Sequence, residues 1–523
     1  MNKLFFWSLV SALAGFLFGF DTVVISGAEK SIQALWNLSP VMHGIVMGSA
    51  LYGTVIGAIF GGWPTDRWGR RKTLLWIGIL YFVSALGSGL ATDAWSFSIA
   101  RFIGGLGVGI STVAAPLYIS EIAPADRRGR LAGMFQFNIV FGILVAFLTN
   151  WLLGNTGENS WRWMMSSEAV PALIYAIACF TIPESPRWLL ARGRDPEALA
   201  ILKQIYPEKS GPELDGVANA IRSAPHAKDS KRPSLWSAGL RRPAALAILI
   251  AFFNQLSGIN AILYFAPRIF GLTGSENALA QSIGIGFTNL VFTFVGLWLI
   301  DRLGRRTLLY IGSFGYILSL GLCAMAFFTW APQFRAASAA VDVKAAVDAL
   351  ATANPARLAK LEEGLEKSKA ALIAATAEPA SGAQPVTFAA DAAPEAVKTI
   401  ASQALSEAST ASGTGGMMVL ICIFAFIAAH AVGQGAVIWV FISEIFPDRC
   451  RAAGQALGSA THWVFAAALT TVFPLMMAKF APGTVFLFFA GMMVLQLLWV
   501  KLMVPETKGV ALEDIERKLM IRD

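Results

Sequence analysis

Asp21 is the first residue able to do chemistry in an unusual place, because it stands inside an apolar run that begins at Met1 and continues past it to Ile25. A carboxylate within a membrane span is costly and is a functional site by default. Arg101, inside another apolar run, is the obvious partner. At about 1.5 Å of rise per residue, Asp21 lies about 15 residues from the expected cytoplasmic start of the first helix and Arg101 about a turn inside the outer end of the fourth. Both therefore reach the same half of the membrane, and a pair is geometrically possible. Burial raises the pKa of a carboxylate and a nearby guanidinium lowers it. Moving Arg101 away would let Asp21 take a proton. A merely structural ion pair is the alternative.

A second set of charges occurs twice. GGWPTDRWGRRKTL (61–74) is echoed by LWLIDRLGRRTLL (297–309), YISEIAPADRRGR (118–130) by FISEIFPDRCRAAG (441–454), and PESPRW (183–188) by PETKG (505–509). Asp66 with Arg70, and Asp301 with Arg305, can lock helix to helix where spans meet at one face. Glu121 and Arg128, like Glu444 and Arg451, are seven residues apart, about two helical turns. Pro124 and Pro447 interrupt that register, so arginines on other helices are the expected partners. Topology-setting loop charge explains many of the arginines but not three duplicated acids.

These residues need apolar elements to position them, and the composition supplies them. Hydrophobic residues make up 56% of 523 and charged ones only 14%, against about 25% charge in ordinary soluble domains. Soluble and disordered classes are excluded. Apolar stretches of about 20 residues centre near 17, 52, 82, 108, 142, 173, 257, 290, 319, 428, 466 and 493, which makes twelve spans. The first is expected to be a span and not a removable leader, because its run passes Asp21 and further spans follow. Lys and Arg cluster in the even-numbered connections, so these and both termini are expected on the cytoplasmic side. The net charge of +8 then reports topology and not nucleic acid.

The repeat implies two six-span halves in the same orientation. The offset grows from 235 (Asp66 to Asp301) to 323 (Ser120 to Ser443), so the second half has gained 88 residues. The gain is visible as an alanine-rich stretch, 331–413, outside the cytoplasm. Leu350, Leu358, Leu361, Leu365 and Leu372 suggest one or two amphipathic helices there, followed by a disordered Ala/Pro stretch. It reads either as a solvated spacer or as a cap that contacts an extracytoplasmic partner.

Other chemistries find no support. Gly104, Gly105, Gly107 and Gly109 lie within a span with no preceding strand, so close helix packing explains them better than a nucleotide loop. There is no Walker A sequence for ATP-driven transport. The four cysteines lack metal spacing and the four histidines are dispersed, so no metal, cofactor or enzymatic activity is expected.

The doubled D-R-x-G-R-R, with R-F-I-G-G, P-x-Y-x-S-E-I-A-P, P-E-S-P-R-W, Q-L-S-G-I-N, S-E-I-F-P and P-E-T-K-G, resembles the sugar porter branch of the major facilitator superfamily. The resemblance covers essentially the whole chain except the insertion and the terminal residues. It implies an all-α membrane protein of twelve transmembrane helices in two pseudo-symmetric six-helix bundles, a central site and alternating access. The expected divisions are an N-terminal bundle (1–183), a cytoplasmic helical linker (184–242) and a C-terminal bundle (243–523) interrupted by the insertion.

The resemblance also assigns roles. Asp66, Arg70, Glu121, Arg128, Glu184, Arg187, Asp301, Arg305, Glu444, Arg451 and Glu506 would form a cytoplasmic gate like the family's inter-bundle network. Asp21 matches an acid found in proton-coupled members, where facilitative ones commonly carry an amide. Amides both donate and accept, matching sugar hydroxyls, and rings cover C–H faces. Asn254, Gln255 and Asn260 on the seventh span surround Gly258, a point where that helix can bend. Gln136, Asn289 and Trp439 match sugar-contacting positions, as do Phe18, Tyr264 and Trp463. Asn254 and His462 stand where glutamine is usual, which leaves sugar against polyol open; Ala436 stands where proline is usual and Ala452 where glycine is. His462 is expected to be a neutral hydrogen-bonding group rather than a titrating one. The expected function is proton-coupled monosaccharide uptake across the inner membrane. A facilitative sugar or polyol uniporter and a non-transporting sugar sensor are the rivals.

Overall fold

The computed structural model describes residues 3–519, except 125–126, 224–234, 352–357, 390, 448–449, 511–514 and 516–518. The described residues are helical with no strand. The first half holds α1 (Lys3–Leu35), α2 (Pro40–Phe60), α3 (Arg70–Leu90), α4 (Ala94–Ile122), α5 (Arg128–Leu153) and α6, in two pieces (Ser160–Ser167 and Ala169–Ala178). The second half opens with α7, in three pieces (Arg241–Leu256, Ile259–Tyr264 and Ala266–Gly271), followed by α8 (Ala278–Leu303) and α9 (Arg305–Thr329). The insertion forms α10 (Ala331–Ala351), α11 (Leu358–Thr376) and α12 (Pro394–Ser412). The last spans are α13 (Gly415–His430, a π turn at Ala431–Gly435, then Ala436–Glu444), α14 (Arg451–Lys479) and α15 (Pro482–Met503). Eleven of these spans are individually long and apolar enough to cross a bilayer, and α6 is the twelfth.

Local sequence sets where the spans begin and break. Ser39 accepts from the Met42 N–H and Pro40 follows it, an N-cap and first-turn proline that start α2. Asp93 and Ser96 form a reciprocal capping box that starts α4. Gly258 sits at φ 89°, in the left-handed region, and divides α7.

In the first half α1 packs along α5 and α2 along α4; in the second, α7 packs along α14 and α9 along α13 and α15. The halves meet along α2 with α14 and α5 with α8. This is the twelve-helix, two-bundle arrangement the repeat implies. The glycines of α4 serve that packing: a Cβ on Gly105 would stand 1.8 Å from the Ala50 carbonyl oxygen of α2. The α2–α14 seam is as tight near the insertion, where a Cβ on Gly44 would stand 1.8 Å from the Thr471 carbonyl oxygen. Tyr52 and Thr471 share a hydrogen bond of 2.6 Å across it. At the insertion face, the two halves are in contact.

The insertion has its own apolar core of Ala336, Ala340 and Val343 on α10, Leu365 and Leu372 on α11, and Val397, Ala401 and Ala408 on α12. Its second part corrects the expectation of a disordered Ala/Pro stretch, since 394–412 is a third helix. The reason is spacing: Val397, Ala401, Ala404 and Ala408 recur at three and four residues and cover α10. Lys344 pairs with Glu276 of the α7–α8 loop at 2.5 Å, and Lys360 donates to the Leu35 carbonyl at 2.8 Å. The insertion therefore touches both halves.

Candidate functional site

The deepest charges sit in the first half. Arg101 donates from Nη1 to Asp21 Oδ1 at 2.5 Å and from Nη2 to the Asp21 backbone carbonyl at 3.0 Å, and each residue is 1% exposed. The glycines of α4 make room for this, with a Cβ on Gly104 reaching within 3.5 Å of Asp21 Oδ1. Two further groups lie in the field of the pair. Glu168, fully buried at the break of α6, interacts with both charges. Tyr264, buried on α7 of the other half, does too.

Around the break of α7 runs a buried chain of amides. Asn260 donates to Gln255 at 2.7 Å, Gln255 to Asn254 at 2.9 Å, and Asn254 to Gln434 of α13 at 3.4 Å. Gln434 donates to Gln496 of α15 at 2.7 Å, and Gln496 to Ser313 of α9 at 2.8 Å. The left-handed turn at Gly258 brings Asn260 back onto Gln255, five residues earlier. Gln255 Nε2 also lies 3.1 and 3.2 Å from the two ring nitrogens of His462 on α14.

Rings continue from His462. Trp439 and Trp463 lie 5.2 and 4.8 Å from it by centroid, and Phe18 of α1 lies 5.5 Å from Trp463, across the two halves. Gln136 is half-buried on α5 and Asn289 is buried on α8. Those helices meet there, with Phe137 and Phe294 5.7 Å apart. The structure thus joins Asn254, Gln255, Asn260, His462, Trp439, Trp463 and Phe18 into one network. It gives Gln136 and Asn289 no side-chain hydrogen bond to it among the described contacts.

The duplicated motifs fold into one geometry used twice, at the face opposite the insertion. Arg70 makes a two-pronged bond to Glu121 at 2.9 and 2.9 Å, and Arg305 repeats it on Glu444 at 3.1 and 2.7 Å. Glu184 accepts from the backbone N–H groups of Arg70 and Arg71, and Glu506 from those of Arg305 and Arg306. Each acid thus sits at a helix N-terminus, where free N–H groups favour an anion. Burial pushes the Glu184 carboxyl above its usual range, against the opposing pull of the N–H donors of Ser185, Arg71 and Arg70. Asp66 and Asp301 pair with Arg70 and Arg305 at 3.3 and 3.4 Å but are mostly exposed. Arg451 donates to the Ser443 carbonyl at 2.9 Å, Arg187 is exposed, and the Arg128 side chain lies outside the described ones. The Glu121, Glu184, Glu444 and Glu506 contacts each join elements of a single half, which differs from an inter-bundle network.

Comparison with known proteins fits this architecture. The family model described as "Sugar (and other) transporter" matches residues 7–346 and 396–519, leaving out only part of the insertion and the chain ends. The chain belongs to this family. It is 31% identical to the arabinose-proton symporter of Bacillus subtilis, covering 98% of this chain and 94% of that one. It is 30% identical to the D-xylose-proton symporter of Escherichia coli, covering 98% and 95%. Among solved structures, the inward-open conformation of the E. coli xylose transporter XylE superposes with a TM-score of 0.71 at 28% identity, covering 98% and 99%. The chain is accordingly a multi-pass membrane transporter of the major facilitator fold.

Within this sugar transporter family member, sequence reasoning missed Glu168, Gln434 and Gln496. All three are polar side chains in or at the break of an apolar span, the same signal that singled out Asp21. Glu168 escaped because it follows Ser166 and Ser167, a short polar run that reads as an interruption at the start of the apolar stretch from Ala169.

Proposed function

We propose that this transporter carries a neutral monosaccharide together with a proton across the inner membrane by rocking of its two bundles. The observation that carries the reading is the buried Asp21–Arg101 pair, with Tyr264 of the sugar-facing α7 inside its electrostatic field. A shift of α4 relative to α1 withdraws the Nη1 donor from the Asp21 carboxylate and the Nη2 donor from the α1 main chain, and a dry carboxylate that loses its cation is relieved by a proton. Glu168 supplies a second carboxylate through which that proton can be held or passed. Tyr264 ties this state to α7, which carries the amides.

The amide chain and the Trp439, Trp463 and Phe18 rings suit hydroxyls on edges and C–H groups on faces. Similarity to arabinose- and xylose-proton symporters supports a monosaccharide. In this reading the basic loops and both termini face the cytoplasm and the insertion faces outward. The Arg70 and Arg305 clusters brace the cytoplasmic end of each bundle and act as its gate. The shut α2–α14 seam, with the likeness to the inward-open xylose transporter, supports a state closed to the outside. The insertion lies over that closed end, where it can meet an extracytoplasmic partner.

The test is a pH-sensitive dye sealed inside proteoliposomes containing the purified protein, challenged with pentoses, hexoses and polyols. A transported sugar acidifies the lumen under this proposal. Sugar entry without acidification would make the protein a uniporter.

A further inference from the structure

An ion pair joins the two halves at the insertion face. Arg268 of α7 donates to both carboxylate oxygens of Glu29 on α1 at 2.7 to 3.1 Å, and to Gln33 at 2.5 Å. Glu29 is fully buried, and so is His43 of α2, whose Nε2 lies 3.3 Å from Glu29 Oε2. Phe265 presents its ring edge-on to the imidazole at 5.9 Å. Glu29 and His43 belong to the first half and Arg268 to the second. Glu29 therefore sits between two cations of different kinds: one permanent, from the other half, and one that exists only when protonated, from its own.

The other charges near this point complete the arrangement. Lys30 of α1 lies beside Gly271 of α7. Asp342, on insertion helix α10, is in the field of both Lys30 and Arg268. At the seam α14 presents the uncharged Thr471. Helix α10 is tied to the second half by the Lys344–Glu276 pair and by Ala337, which packs against Gly274.

Opening this face requires the halves to part, as the alternating access proposed above demands, and this inference rests on that reading. Arg268 then leaves with α7, and Asp342 moves with the same half. Glu29 stays against α2, now within reach of water, with His43 as the adjacent group that can become a cation, and imidazole is the side chain whose charge changes near neutral pH.

We propose that His43 is a second proton-binding site, which takes a proton from water on the insertion face as that face opens and replaces Arg268 as the partner of Glu29. Arg268 passes to Asp342. On closure Arg268 returns, and His43 releases its proton to the same side. One proton binds and one leaves on a single face, so the site sets the ease of opening and adds nothing to the number of protons carried. Acid on that face thus favours the state that loads sugar. The insertion supplies the acceptor for the displaced arginine.

The test uses spin labels on two exposed residues of this face, Asn37 in the first half and Asn277 in the second, in the full-length protein carrying Asp21→Asn so that Asp21 cannot titrate. Distances are measured between pH 8 and pH 5. The ratio of the long (open) to the short (closed) population should rise roughly tenfold as pH falls across this range, the change given by one pKa unit of coupling. His43→Asn should abolish that dependence. Glu29→Gln, which removes the need for a replacement cation, should abolish it as well and keeps the test decisive if His43→Asn does not fold. A pH-independent distance distribution in the parent would overturn the proposal, as would one that still titrates in either variant. Distances do not depend on proton-driven accumulation, so failure here is separable from failure of the symport reading.

Discussion

Arg101 holds Asp21 by two different handles, the carboxylate at 2.5 Å and the backbone carbonyl at 3.0 Å, across the interface of α4 and α1. The second handle ties the guanidinium to the α1 main chain as well as to the side chain. Relative movement of the two helices therefore changes the carboxylate's surroundings directly, which is what a proton carrier coupled to a conformational cycle requires.

That geometry separates arginine from lysine. An ammonium is a point charge, whereas the guanidinium is a planar fork with two donors in use here. Arg101→Lys should leave a folded protein with sugar binding little changed. Its proton-driven accumulation should fall by roughly tenfold or more, since one lost charge-assisted bond is worth about 1.5–3 kcal/mol. Parallel measurement of binding and of uptake against a pH gradient checks this.

The amide chain predicts that a residue far from the recognised motifs matters for sugar. Gln434→Ala removes the link between Asn254 and Gln496 and strands buried partners on both sides, at a cost of about 1–3 kcal/mol. Sugar affinity should weaken by roughly tenfold, as measured by titration calorimetry. Gln136→Ala, outside the chain, tests whether α5 contributes a contact of its own.

Helix packing gives a graded pair of substitutions on α4. Gly105→Ala places a methyl 1.8 Å from the Ala50 carbonyl oxygen, while Gly107→Ala meets only ordinary contacts beginning at 3.4 Å. Overpacking of this kind costs about 1–3 kcal/mol or more. Gly105→Ala should therefore lower the thermal unfolding midpoint in detergent clearly, and Gly107→Ala should leave it nearly unchanged.

At the face opposite the insertion, exposure decides which acids matter. The Asp66 side chain is 78% exposed and that of Glu121 is 8%. Asp66→Asn should change stability by under about 1 kcal/mol. Glu121→Ala removes both prongs of the buried pair, leaving Arg70 only the exposed Asp66 and the Thr65 carbonyl, and should cost about 3 kcal/mol. The thermal midpoints of the two variants, each with its second-half counterpart at Asp301 or Glu444, provide the comparison.

Much of the architecture was legible because apolar length and charge placement are one-dimensional signals. Twelve runs became twelve spans, and the duplicated motifs became two copies of one arginine–glutamate geometry. Asp21 and Arg101 could be paired by counting rise along helices. What counting could not give was lateral position. Gln434 and Gln496 meet only because α13 and α15 both face the break in α7, and Glu168 joins the Asp21 pair only because α6 breaks there. Glu29, His43 and Arg268 are 14 and 225 residues apart in sequence order, and nothing local marks them as neighbours. The third insertion helix was hidden for a different reason: alanine and proline content reads as a linker until a partner surface is present for the alanines to cover.

The central claim, that Asp21 couples a proton to sugar movement, is tested most directly by two assays on one variant. In proteoliposomes with an imposed pH gradient, wild-type protein should concentrate its sugar inside. Asp21→Asn should lose that accumulation while still exchanging labelled for unlabelled sugar at a comparable rate. Accumulation that survives in Asp21→Asn would contradict the account.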